Sequence, residues 1–255
     1  HVFIIFINSR LMGNLFSDTP DYDIAIDTDI KIDSTQLRAL SKIKQKHKKH
    51  HKINLNRYNI KMTNMVNAMD VCCYFSYNNT LHQLITDTHY RNLFEVNKSG
   101  GSNNKPNRLK KDHIMFGYSK YMSHHLRPKY GNLHYHKKKI MSSASSYGEL
   151  HLILKKSLHK YCTMTYGNSN TDSNVYYLEE SYPFIKSLET TQYNNLAHKG
   201  VLEHLTQYVE IQIHCSLKLS KSFEAIRAPK KYKIGKEQQK LIEFSRKYDI
   251  PIQYY

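Results

Sequence analysis

One short stretch of the chain constrains its fold more than any other. Residues 208–214 read Tyr-Val-Glu-Ile-Gln-Ile-His, so three β-branched side chains alternate with polar and aromatic ones. A period of two is typical of a half-buried β-strand, whose β-branched side chains face a core. Glu210, Gln212 and His214 then line the opposite face, about 7 Å from one to the next. That polar face is either solvated or part of a site, and the pattern alone leaves both open.

The rest of the chain predicts an α+β fold, with helices early and late around a central, mostly antiparallel β core. An Asp33-Ser34 cap and apolar residues at helical spacing predict a first helix at 35–49. Further helices are expected at 80–88 and 236–248, and further strands at 53–56, continuing toward 61, and at 150–154 and 161–166. Gly-Gly and Pro predict a loop at 97–107. We expect a weakly patterned leader at 1–33 and a single domain at 34–255.

The charge of the chain favours an anionic partner. The formal net charge of the 255 residues is +17 with His counted neutral, which indicates nucleic acid, a membrane surface, a phosphorylated ligand or another polyanion. The residue bias toward Lys, Asn, Ile and Tyr is also what an A/T-rich genome produces, and blocks such as residues 44–52 are usually solvated. Both interpretations of the charge stay open.

Cysteine usage favours a reduced, cytoplasmic chain. The four cysteines include an adjacent pair, Cys72 and Cys73, and fit neither a disulfide framework nor a metal knuckle. No apolar run approaches the roughly 18 residues of a membrane span. The sequence starts at His1 rather than Met, so an upstream signal segment stays open. No metal site is predicted, because no H-E-x-x-H motif occurs.

Seven blocks, in order, resemble an uncharacterised bacterial family known as a domain of unknown function. The family blocks correspond to the following stretches of this chain: Tyr-Arg-Asn-Leu-Phe-Glu (90–95) with Ser-Gly-Gly (99–101), Met-Phe-Gly-Tyr (115–118), Arg-Pro-Lys-Tyr-Gly-Asn-Leu (127–133), Ser-Ser-Tyr-Gly (145–148), Thr-Met-Thr-Tyr-Gly-Asn-Ser (163–169), residues 208–214, and Tyr-Asp-Ile-Pro-Ile-Gln-Tyr (248–254). The resemblance runs from about residue 34 onward. It departs from the family at three places.

The departures concern polar positions of the family pattern. Two His of the family's first strand are absent from residues 55–61, where Lys61 stands at the family's Arg. Asn168 replaces a family Asp, and Cys215 replaces a family Gly. These changes predict that this chain is either degenerate or altered in its chemistry relative to the family.

The block order is similar to that of the ADP-ribosyltransferase fold, which implies a nicotinamide dinucleotide (NAD) as the ligand. In those enzymes a first strand carries His or Arg, a Tyr or Ser lies near the nicotinamide, and a late strand carries an essential Glu. The resemblance implies these counterparts here: Glu210 as the catalytic carboxylate with Gln212 and His214 beside it, Arg127 as a phosphate or scaffold cation, Tyr130-Gly131 and Tyr147-Gly148 as stacking residues with close approach of backbone or ligand, and Arg57 or Lys61 in place of the first-strand residues.

Each of these residues also has an ordinary structural interpretation. Arg127 can pair with a carboxylate, Tyr130 and Tyr147 can be core residues, the glycines can serve turns, and His214 can be a hydrogen-bonded structural residue. Arg91 and Glu95, four apart, predict a solvated ion pair. Two functions are therefore weighed: an ADP-ribosyltransferase-like transferase with a macromolecular acceptor, and a degenerate, non-catalytic basic module that binds nucleic acid or another polyanion.

Overall fold

A computed structural model describes residues 30–48, 57–97, 104–134, 147–170, 174–188 and 209–255. The described ranges leave out most of the predicted leader, Tyr208 and a run of three lysines at 137–139. The four described cysteines are free and buried. The described helices include none that is long and apolar enough to cross a membrane.

An eight-stranded sheet forms the centre of the fold. Its strands in chain order are β1 (Asp70–Phe75), β2 (Lys129–His134), β3 (Leu150–Leu154), β4 (Cys162–Tyr166), β5 (Tyr176–Tyr177), β6 (Val209–Ile213), β7 (Phe223–Ala228) and β8 (Ile252–Tyr254). They lie in the order β5-β4-β6-β2-β1-β3-β7-β8. Neighbours pair antiparallel except β7 and β8, which are parallel. The predicted α+β class with a mostly antiparallel core is confirmed.

The helices precede, separate and follow these strands. They are α1 (Ser34–Lys48), α2 (Arg57–Ala68), α3 (His82–Thr86), α4 (Leu93–Val96), α5 (Lys105–Phe116), α6 (Tyr182–Ser187), α7 (Leu219–Ser222) and α8 (Lys236–Tyr248). A π-helical turn, Tyr77–Leu81, leads into α3, and short 3-10 turns lie at His124–Leu126, Lys156–Tyr161 and Lys230–Lys233. The predicted helices at 35–49, 80–88 and 236–248 correspond to α1, to α3 with its leading turn, and to α8.

The two faces of the sheet are covered by different helices. The β-branched face of β6 joins a large core that includes Met62 of α2, Leu84 of α3 and Phe244 of α8. On the other side a smaller apolar cluster joins α1 to α5, and the Phe116 ring of α5 meets the His214 ring edge-on at 4.6 Å between centroids. The middle of the sheet is therefore buried on both faces.

This double cover corrects the prediction that strand 208–214 is half-buried. Glu210, Gln212 and His214 are 4%, 0% and 0% exposed. The strand itself is confirmed as Val209–Ile213, and its β-branched side chains face the core as predicted. Alternation marks a strand with two chemically different faces. It does not report whether another helix covers the polar face.

The predicted first strand is wrong where the structure describes it. Residues 57–61 begin helix α2, and residues 53–56 lie outside the described ranges. The first strand is instead β1, a run of Asp-Val-Cys-Cys-Tyr-Phe whose last five residues are all buried. A strand buried on both faces loses its alternation, so a search for period two does not find β1.

The predicted loop at 97–107 is also partly wrong. Residues 98–103 lie outside the described ranges, but α5 starts at Lys105. The Asn104 side chain accepts a hydrogen bond from the backbone N–H of Asn107 at 3.0 Å. Pro106 lies in the first helical turn, where its missing N–H has no cost. Asn followed by Pro therefore marks a helix start here, although the same residues are common in turns.

Candidate functional site

The polar face of β6 faces polar side chains from both neighbouring strands. Across the ladder, Glu210 lies between Thr165 of β4 and Asn132 of β2, and Gln212 lies between Thr163 and Tyr130. Because opposite residues of antiparallel strands point to the same face, these side chains form one continuous patch. Helix α5 packs over this patch and adds Arg108 and Asp112. We call the following side chains the buried polar cluster: Arg108, Asp112, Tyr118, Arg127, Tyr130, Thr163, Ser169, Glu210, Gln212 and His214.

His214 is the neutral end of the cluster. Its Nδ1 lies 2.7 Å from the Tyr118 hydroxyl and its Nε2 lies 2.9 Å from Thr163 Oγ1. Burial, with a smaller effect from the Lys129 charge, lowers the pKa of His214 to about 3. The neutral ring has one donor nitrogen and one acceptor nitrogen. Since Thr163 donates to Gln212 Oε1 at 3.0 Å, the tautomer that fits carries its proton on Nε2 and accepts from Tyr118.

The hydrogen bonds from His214 run in one direction toward Glu210. Gln212 Nε2 donates to Thr165 Oγ1 at 3.1 Å and to Glu210 Oε1 at 3.3 Å. The Ser169 hydroxyl donates to the same carboxylate oxygen. Arg108 Nη1 in turn donates to Ser169 Oγ at 2.6 Å. The Ser169 and Gln212 donors end at Glu210 Oε1, whereas Thr165 Oγ1 donates away from Glu210, to the Gly167 carbonyl oxygen at 3.3 Å.

A second carboxylate, Asp112, holds the other end of the cluster. Arg127 Nη1 donates to Asp112 Oδ2 at 3.2 Å, and the Tyr130 hydroxyl donates to Oδ1 at 3.0 Å. Burial raises the pKa of Asp112 to about 6, although Arg108, the Tyr130 hydroxyl and Arg127 all act to lower it. The Arg108 guanidinium lies over the Tyr130 ring at 4.3 Å from its centroid. Two cations and two carboxylates therefore share one closed volume, and their charges balance.

Arg127 makes several structural contacts, although its buried Nε has no hydrogen-bond partner among the described residues. Besides Asp112, its Nη2 donates to the backbone oxygens of Ser119 and Lys120 at 2.7 and 3.3 Å. Its guanidinium also lies 4.9 Å from the centroid of the Phe94 ring, and the side chain is 0% exposed. This arginine ties the segment after α5 to the start of β2, which is the ordinary interpretation of the residue.

The structure brings together five of the residues assigned by resemblance: Arg127, Tyr130, Glu210, Gln212 and His214. The other five (Gly131, Tyr147, Gly148, Arg57 and Lys61) lie outside this group, and Lys61 is on helix α2. Tyr147 packs on the small cluster of Cys72, Tyr74, Ile153 and Ala225 on β1, β3 and β7, and Gly148 follows it. From a strand spacing of about 4.8 Å, β3 lies about 14 Å from β6. Arg57 begins α2, whose buried residues belong to the core on the opposite face of the sheet.

Both assigned glycines are explained by backbone packing. A Cβ at Gly131 would lie 2.9 Å from the Cys72 carbonyl oxygen of β1. Gly131 also pairs with Ile211, which places it on the apolar face of the sheet. Gly148 has φ +129, and a Cβ there would lie 2.1 Å from the Phe75 carbonyl. These glycines were assigned because they allow backbone or ligand to approach closely. The group that approaches both is the backbone of strand β1.

The sequence reasoning missed five members of the cluster: Arg108, Asp112, Tyr118, Thr163 and Ser169. Arg108 and Asp112 are four residues apart, so recognition of the Asn-Lys-Pro start of α5 would have placed both on one helix face. Ser169 is the last residue of the stretch 163–169, which the sequence analysis compared with a family block. Within that block Asn168 Oδ1 accepts from the Asn170 N–H at 2.9 Å. An Asp accepts such a bond equally well, so the Asn168 departure preserves this turn contact.

Two cavities are lined by described residues outside the buried polar cluster. One of about 230 Å³ is lined mainly by Lys46, His47, Tyr176, Tyr182 and Lys186. Another of about 210 Å³ borders Lys156 and His159. Within the described ranges, no group of three or more His, Cys, Asp or Glu side chains is arranged to hold a metal ion. In the comparisons with known proteins, no protein-family model and no curated protein matches the chain.

Proposed function

We propose that this chain is an ADP-ribosyltransferase-like transferase that cleaves a nicotinamide dinucleotide and uses Glu210 as its catalytic carboxylate. The observation that carries the proposal is the convergence of Glu210, Tyr130 and two arginines in one hydrogen-bonded cluster. These are the residue types that the reaction needs, and their strands β6 and β2 are neighbours next to β1.

The chemistry assigns a distinct task to the carboxylate. Cleavage of the nicotinamide–ribose bond builds positive charge on the ribose ring, and a fixed carboxylate beside that ring stabilises the charge. Gln212 and Ser169 hold Glu210 in one orientation, since both donate to its Oε1. A preorganised carboxylate does not have to reorient when charge develops, which is where such sites obtain most of their rate.

Access to Glu210 requires Arg108 to change partners. Arg108 Nη1 covers the carboxylate through Ser169, and Glu210 is 4% exposed. An arginine binds phosphate through the same planar donors that it uses toward other oxygens. We therefore assign the phosphate-binding role to Arg108 rather than to Arg127, whose contacts anchor the backbone. Substrate phosphates that bind Arg108 release Ser169 and open the ribose side of Glu210.

The test is nicotinamide release from labelled dinucleotide by the purified chain. We expect Glu210→Gln to lower the rate at least about 100-fold, as loss of a transition-state contact does. Glu224→Gln is the matched control, because Glu224 also lies on a strand but is exposed. Urea unfolding of both variants checks that they fold. Absence of release by the parent chain, or equal rates for the parent and a folded Glu210→Gln variant, would contradict the proposal.

A basic, non-catalytic module is the second candidate, and one feature favours it. The cavity of about 230 Å³ has Lys46 and Lys186 on its border, with the stacked rings of His47 and Tyr176 between α1 and β5. Basic and aromatic groups together suit a nucleic acid strand. This function predicts binding to DNA or RNA that weakens steeply with salt, falls in a Lys46→Glu, Lys186→Glu double variant, and ignores Glu210→Gln. Binding unaffected by salt, or by the double variant, would exclude it.

A further inference from the structure

A second polar patch lies on the same face of the sheet as the buried polar cluster, on strands β3 and β7. His151 of β3 and Arg227 of β7 are directly opposite each other in the ladder. Asp70 and Tyr74 of β1 and His134 of β2 approach them from the other side. None of these side chains takes part in the proposed transferase chemistry.

His151 is enclosed without a hydrogen bond. It is 2% exposed, and neither ring nitrogen has a partner among the residues that the structure describes. Three aromatic rings surround it, with centroids at 4.9 Å (Tyr74), 5.5 Å (His134) and 5.7 Å (Tyr255). Most buried polar groups in proteins are satisfied, so an imidazole with both nitrogens unpaired calls for an explanation.

Arg227 shows the same feature at one of its nitrogens. Its Nε donates to Gln253 Oε1 at 2.9 Å, and its Nη2 lies 3.0 Å from Asp70 Oδ2. Its Nη1 is buried and has no partner within the described ranges. A guanidinium is always charged and can only donate. The group that would satisfy Nη1 must therefore be an acceptor.

We propose that Arg227 and His151 form a binding site for a small oxyanion, of the phosphate class. An oxyanion offers hydrogen-bond acceptors to Arg227 Nη1 and to the N–H of His151 together. A metal cation or a protonated amine offers no acceptor to either donor. Local charge agrees, because Arg227 and Lys156 both pair with the single carboxylate of Asp70 and leave an excess of one positive charge. Gln253 beside Arg227 is exposed, so the patch reaches the surface there. This site is independent of the proposed transferase function.

The test is thermal unfolding of the chain in inorganic phosphate, compared with sodium chloride at equal ionic strength. At ten times the dissociation constant we expect phosphate to raise Tm by about 4 °C. Arg227→Gln and His151→Leu should abolish the rise. Arg246→Gln, which removes an exposed arginine on α8, should keep it. A parallel series with adenosine monophosphate tells whether the site takes free phosphate or a phosphate group carried by a nucleotide.

His151→Leu also separates binding from structural damage. Since it removes two unpaired buried nitrogens, it should raise the anion-free Tm by about 3 °C while it abolishes the response to phosphate. A variant with a damaged fold would instead have a lower anion-free Tm than the parent chain. The proposal is overturned if neither phosphate nor the nucleotide stabilises the parent chain. It is equally overturned if His151→Leu keeps the full response or if Arg246→Gln loses it.

Discussion

Three buried histidines should make the fold sensitive to mild acid. His214, His151 and His159 are 0%, 2% and 4% exposed. Burial lowers the pKa of His214 and His151 to about 3 and that of His159 to about 4, with neighbouring positive charges adding to the effect. In the unfolded chain all three return to an ordinary pKa of about 6.5. The perturbation is therefore a change from about pH 7.5 to about pH 5.

The sign follows from the number of protons bound in each state. Between the folded and unfolded pKa values the unfolded chain binds more protons, so the free energy of unfolding falls as the pH falls. At about pH 5 each histidine costs about 2 kcal/mol, and the three together cost about 6 kcal/mol. Asp112 acts in the opposite direction. Its pKa is raised to about 6, so the folded state gains roughly 1 kcal/mol as Asp112 takes up a proton.

The net loss of about 5 kcal/mol is comparable with the whole stability of many domains. Urea unfolding at the two pH values measures it directly. His214→Gln and His159→Gln should each reduce the difference between the two pH values by about 2 kcal/mol, whatever they cost at neutral pH. His82→Gln is the matched control, because His82 is exposed on α3. A parent chain whose stability changes by less than about 1 kcal/mol between these pH values would refute the reasoning.

Two further predictions concern residues that hold the backbone of the fold in place. Gly148→Ala should lower the free energy of unfolding in urea by more than about 3 kcal/mol, because the added Cβ would collide with the Phe75 peptide at positive φ. Gly235→Ala is the control: the nearest neighbour of its Cβ is the flexible Glu237 side chain, so the loss should be only about 1 kcal/mol. Asn92→Ala should cost about 2–4 kcal/mol, since it removes the α4 cap and unpairs the buried Arg127 carbonyl and the partly buried His124 carbonyl. A cost below about 1 kcal/mol would contradict this account.

The arrangement of charges explains why so polar a cluster can lie inside the fold. Arg108 and Arg127 face Glu210 and Asp112, and the neutral groups between them donate toward the carboxylates. Pairing and hydrogen bonding offset part of the desolvation cost that an isolated buried charge would bear. At Asp112 burial still outweighs the partners, since the pKa is raised to about 6. The same arrangement keeps Glu210 oriented, so the features that stabilise the cluster also suit the proposed chemistry.

Local sequence signals determined the elements whose pattern is self-contained. Helix α1 follows from a cap and helical spacing, and α8 follows from helical spacing alone. Strands β3, β4 and β6 follow from short apolar or alternating runs. Arg91 and Glu95 make the predicted surface ion pair, with 3.4 Å between Nη1 and Oε1. These features depend on residues a few positions apart, whose interactions are the same in most folds.

Only the tertiary structure decided what covers the polar face of β6. The sequence placed Glu210, Gln212 and His214 on one face, but Arg108 and Asp112 reach that face from a helix about 100 residues earlier. Strand β1 was equally invisible, because burial on both faces removes the alternation that marks a strand. Periodicity records the contrast between the two faces of one element. Which element covers a face depends on the packing of distant segments. Here helix α5 covers the polar face of β6, so Glu210 is buried among paired charges and is not solvated.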